Sequence, residues 1–384
     1  NLLEIWSYIF LAELLKNYLF NEDIDSYNKN WKEIFEAEDD IISYWGKEIN
    51  AGRVKRTNID LFLQSYLSIK IQETPLNVTS EDKERFFKVE SVFNSYKEFI
   101  TNYKINKDEL ILKLKDYAQV YKNTFNPNIS QEFVDRDSNV DRLNLLIFGL
   151  ETTTLIPYIL YITKNVKDET ERNRIFKYLE AYLMRRLICR TNNKNYNQLF
   201  NGSMINREIN TLDKLIEFIE DKSEKINFMP SDVEVAKGFA ESTLSNKLSK
   251  GILYLIELTT RNNFNATQLK NFKDYSVEHV LPKKWRNNWD STFLSEEDKR
   301  ERDRILYTLG NLTLITSNLN SSIRDADWST KKSGVGTNKG LMEYAQGVEI
   351  FSKYLQRESW SESDIRERAN ELYENAIKVW NLDV

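Results

Sequence analysis

Cysteine is all but absent: Cys189 is the single one in 384 residues. One thiol forms no internal disulfide and builds no cysteine-based zinc site. Its neighbours Leu187 and Ile188 make it a small buried hydrophobe rather than a nucleophile, and a reducing cytoplasm is the compartment expected. Five prolines and eleven glycines are few for this length, which disfavours a turn-rich β architecture and favours long helices. No apolar run approaches the ~20 residues that span a bilayer, so no membrane partner is expected. The opening Asn1-Leu2-Leu3-Glu4 has neither an initiator Met nor a basic leader, and reads as the start of a fragment. Positive charge is also in deficit: 54 Lys and Arg stand against 59 Asp and Glu, a net charge of -5. A nucleic-acid enzyme of this composition must gather its cations locally, because phosphate contacts supply most of the affinity.

What is present is helical periodicity. From Leu2 to about Phe264, apolar residues recur at three- and four-residue spacing. Leu110, Ile111, Leu114, Tyr117, Ala118 and Tyr121 form one stripe, and Ile175, Tyr178, Leu179, Tyr182 and Leu183 another. At that spacing the aromatics belong to a core rather than to base-stacking platforms. Arg185-Arg186 reads equally as a buried anchor or as a DNA contact.

The texture changes near Asn271, and two domains are expected: a helical scaffold over 1–265 and a smaller functional domain over 266–384. Tyr275 to Pro282 predicts a short extended segment stopped by proline. Ser295 predicts a helix cap with Asp298 at the third helical position. Leu309 to Thr316 predicts a strand with a glycine turn at its start. Gly334, Gly336 and Gly340 predict a mobile loop, after which Leu341 to Trp380 returns to helix. The glycines are not a P-loop, since no Gly-Lys-Ser/Thr ending follows them.

His279 is the only histidine. A lone histidine is by default structural, but this one follows an acid, precedes Pro282 by three positions and lies upstream of an amide-rich segment. Metal-assisted phosphodiester cleavage needs a base that works near neutral pH, which imidazole supplies. It also needs a hard divalent cation on the phosphate. Mg²⁺ keeps several waters, so one carboxylate and one amide oxygen can hold it, here Glu278 and Asn320. In an extended segment Glu278 and His279 point to opposite sides, one to metal and one to the attacking water.

Val277-Glu278-His279-Val280-Leu281-Pro282, then Leu309-Gly310-Asn311-Leu312-Thr313-Leu314, Leu319-Asn320 and Trp328-Ser329-Thr330-Lys331, together resemble the C-terminal nuclease domain of the GmrSD family of modification-dependent (type IV) restriction endonucleases. The resemblance implies a mainly α protein with a small inserted ββα-metal, or His-Me finger (HNH-like), unit held without zinc. It implies His279 as general base, Glu278 and Asn320 as ligands of Mg²⁺ or Mn²⁺, and Asn311 as the brace of the loop carrying the base. Lys331 would contact phosphate, with Lys332 beside it. The substrate would be DNA, of modified phage origin, and the full-length protein would carry a ParB-like nucleotide-using domain upstream. Rival readings stand beside these. Glu278 also reads as a surface acid, Asn311 as a turn residue, Lys331 and Lys332 as a solvated pair, and Asn318 competes with Asn320. The whole domain also reads as a non-catalytic DNA-binding or regulatory module with a degenerate nuclease fold.

Overall fold

A computed structural model describes residues 2–52, 54–73, 76–87, 92–221, 226–261, 269–289, 294–316, 323, 325–344 and 348–383. It is mainly helical, and among the described residues the strands form three antiparallel pairs. No described helix is long and apolar enough to cross a membrane. The chain divides into two compact units, one from 1–129, 143–175 and 193–221, the other from 130–142, 176–192 and 222–384.

The first unit is organised on the Asn58–Lys70 helix, nearly every residue of which is buried. Thr57 caps it reciprocally with Asp60, satisfying amide donors that a buried helix start would otherwise leave open. A hairpin of β1 (Glu48–Ala51) and β2 (Val54–Thr57) leads into that cap, and Gly52 turns it with φ +68°. Phe62, Trp45 and Tyr121 interlock, with the Trp45 and Tyr121 rings stacked at 5.5 Å. The stripe from Leu110 to Tyr121 is buried as its spacing predicts.

The second unit holds the motif-bearing segments. β3 (Tyr275–His279) pairs antiparallel with β4 (Leu312–Thr316), in a register that sets His279 opposite Leu312 and Glu278 opposite Thr313. The Asn246–Thr260 helix packs on both strands, so the texture change at 265/266 falls inside this unit. Ser295 and Asp298 make the expected reciprocal cap of the Glu296–Ile305 helix. The glycine segment differs from its expectation: Gly334–Val335 pairs with Asn338–Lys339 as β5 and β6. Gly334 and Gly336 take φ of +79° and +61°, values that let a short hairpin close where other residues would strain.

Arg185 and Arg186 prove structural. Arg185 donates to the carbonyls of Trp380 and Pro230 and to Asp232, and Arg186 to the carbonyls of Phe228 and Asn192. Cys189 is half-buried, and burial pushes its thiol up to about 11, far from a reactive thiolate.

The turn before β4 is clamped by the Glu362–Val379 helix. Arg368, fully buried, donates from Nη1 to the carbonyls of Leu309 at 3.1 Å, Gly310 at 2.9 Å and Leu312 at 2.7 Å. Burial lowers its guanidinium to about 10, still a cation at neutral pH. A Cβ on Gly310 would stand 2.1 Å from the Ile365 carbonyl, so only glycine permits this approach. Arg368→Met should therefore cost about 2–5 kcal/mol, since it strips a donor from three carbonyls. Gly310→Ala should cost about 1–3 kcal/mol by overpacking. Urea denaturation reads both, and parental midpoints would show that the turn is not clamped.

Candidate active site

β3 ends at His279, and the chain then turns sharply through Pro282, which cannot continue the ladder. Asn311, with no exposed surface, holds that exit in place. Its Oδ1 accepts the Leu281 N–H at 2.8 Å and the Trp360 indole N–H at 3.1 Å. Its Nδ2 donates to the carbonyls of Leu281 and Leu306, each at 2.8 Å, and its own carbonyl accepts the Val280 N–H at 3.0 Å. The side-chain amide thus uses every donor and acceptor to tie the segment after His279 to the turn before β4.

A cleft of about 360 Å³ opens at this strand end, lined by Glu278, His279, Pro282, Lys283, Lys284 and Asp325. Strand alternation predicts opposite directions for Glu278 and His279, yet both border the cleft, which wraps the terminus of β3. Burial, then the charges of Lys283 and Lys331, push the His279 imidazole down to about 4, so at neutral pH it is uncharged and can accept a proton. Its ring meets the half-exposed Tyr307 edge-on at 5.7 Å. Glu278 is 6% exposed and paired with Lys331, whose Nζ also donates to the His279 carbonyl at 2.7 Å. Burial raises the carboxyl and lowers the ammonium, against the attraction between them.

The structure brings Glu278 and His279 to one cleft, with Asn311 directly beneath. Asn320, and its competitor Asn318, lie outside the described residues. The two lysines expected at phosphate are both engaged by protein groups. Lys331 has no exposed surface and is the counter-ion of Glu278, and the Lys332 ammonium donates to the Arg357 carbonyl at 3.0 Å. Sequence reasoning passed over Lys283, Lys284, Asp325 and Tyr307. The lysine pair directly follows Pro282 and was within reach of the motif. Asp325 gave no periodic signal, being placed by Asn287 and Asn288, whose amides bond its carboxylate and carbonyl at 3.1 and 2.9 Å. Among the described residues no three His, Cys, Asp or Glu side chains converge closely enough to hold a metal ion.

Because Asn311 is fully engaged, Asn311→Ala should leave both peptide groups of Leu281 without it and cost about 2–4 kcal/mol. Asn311→Asp should cost a similar amount, since a carboxylate cannot donate to the Leu281 and Leu306 carbonyls. Chemical denaturation measures both, and an Asp variant of parental stability would mean that those two bonds contribute nothing.

Residues 229–375 match the model of the GmrSD restriction endonucleases, C-terminal domain. Both strands of the site, Asn311 and Lys331 fall within the match, and the residues before 229 lie outside it. No curated protein matches the chain. The segment that builds this cleft is a C-terminal domain of the GmrSD restriction endonuclease family.

Proposed function

We propose that the cleft hydrolyses phosphodiester bonds of DNA with a divalent metal ion, His279 serving as general base. One observation carries this reading: an imidazole and a carboxylate border the same cleft, within a restriction-endonuclease domain. β3, β4 and the Trp328–Ser333 helix then constitute the ββα-metal unit of a His-Me finger, in a nuclease domain taken as 266–384. The donors suit a hard cation, for Glu278 and Asp325 are carboxylates lining the cleft, and Mg²⁺ or Mn²⁺ needs few protein oxygens beside its waters. Asn320 would add an amide oxygen. When bound, the ion neutralises charge on the scissile phosphate and the departing oxygen.

His279 takes the proton from the attacking water at an imidazole nitrogen as the new P–O bond forms. The old P–O bond breaks, and the departing oxygen is protonated from solvent. Asn311 is a positioning residue, holding the backbone just past the base. The biological setting that fits is restriction of modified phage DNA in the cytoplasm, with the ParB-like domain of the full-length protein upstream. The Lys331 ammonium seated on Glu278 is the observation that favours the second reading, a DNA-binding module without metal chemistry.

Plasmid nicking by the full chain, with Mg²⁺ and with EDTA, separates the two. The parent should cut only with metal, and His279→Ala should lose at least ~100-fold in rate, the scale of a positioned base. Its circular dichroism and DNA affinity should stay near parental. A variant cutting at the parental rate would remove His279 from the mechanism. A parent that binds DNA and never cuts it would favour the second reading.

A further inference from the structure

The cleft needs cations that can reach a phosphate, and the nearby basic side chains are mostly engaged. Lys331 is buried on Glu278, and Lys332 donates to the Arg357 carbonyl. Arg286 makes a two-pronged contact with Asp303 at 2.9 and 2.7 Å, and Arg302 pairs with Glu362. Lys283 and Lys284 differ. Both are exposed, both line the cleft beside His279, and neither forms an ion pair among the described residues.

The local fold presents them. The Trp285 N–H donates to the Pro282 carbonyl at 3.0 Å, closing a tight turn. Trp285 has no exposed surface, and its indole N–H donates to Asp303 at 2.8 Å. The turn is therefore pinned by a buried residue at each end, and the two lysines between are exposed and line the cleft. Tyr307 sets the direction of the first: the Lys283 ammonium lies 5.5 Å from a ring that also meets His279. Lys284 lines the same cleft as Asp325.

We propose that Lys283 and Lys284 form the phosphate seat of the cleft, gripping the backbone of a DNA strand beside His279. This rests on the DNA-cleaving reading above and assigns to this pair the role expected of Lys331 and Lys332. The side chains act as point charges, so they grip without reading sequence.

Binding of a labelled DNA duplex to the full chain, in the non-cleaving His279→Ala background and across a salt series, tests it. Each phosphate contact contributes about 0.9 to the slope of log affinity against log salt. Lys283→Gln with Lys284→Gln should therefore flatten the slope by about 1.8 and weaken binding, each single variant should give about half of that, and Lys332→Gln should leave the slope unchanged. Parental DNA binding with an unchanged slope in the double variant would overturn this assignment alone. Absence of DNA binding by the His279→Ala chain and by the parent would overturn the DNA reading together with it.

Discussion

The amide of Asn311 joins two stretches of chain thirty residues apart, and the cleft exists because it does. β3 and β4 pair over only five residues each, too little backbone to hold a strand end rigidly by themselves. The amide extends that pairing past the last ladder position by presenting an acceptor and a donor to one residue, Leu281, as another strand would. Arg368 does the equivalent work on the other side of the turn, gathering three carbonyls that point away from the ladder. Between them, the turn before β4 is held from both sides, and His279 inherits its position from that turn.

Charge is arranged in two tiers around the same strand end. The inner tier is the Glu278–Lys331 pair, sheltered from water, where each charge is held chiefly by the other. Removing one member of such a pair is costly, because it strands the remaining charge in a medium that solvates it poorly. The outer tier is Lys283, Lys284 and Asp325, where solvent screens each charge and little folding energy is at stake. A lysine in the inner tier answers to the fold, and one in the outer tier can answer to a ligand.

Much of this was legible in the sequence. Helix stripes, the Ser295–Asp298 cap and both site strands follow from spacing and local hydrogen-bonding chemistry, which the sequence displays directly. Glu278, His279 and Asn311 were legible as a group because their motifs are compact. The β1–β2 hairpin was not, since its four-residue strands carry mixed polarity and only Gly52 marks the turn. Lys331, placed at phosphate by the resemblance, is buried. Trp328 and Lys331 stand three apart in one helix, hence on one face, and Trp328 is buried. The tryptophan's burial carries the lysine inward, where Glu278 compensates its charge.

The unit that contains the cleft is assembled from separated stretches of chain, and one hydrogen-bonded chain of residues shows what that entails. Arg142 grips Glu180 through Nε at 2.8 Å and Nη2 at 2.5 Å, Glu180 accepts the Trp380 indole N–H at 2.8 Å, and the Trp380 carbonyl accepts from Arg185. All four residues lie outside the family-matched segment, yet all belong to the same compact unit. The family-matched segment and the compact unit thus have different boundaries here. Excised at 229 and 375, the nuclease segment would keep every cleft residue named above, yet lose this network whole. The last helix itself packs on elements inside the matched segment, so what lies outside is chiefly this network.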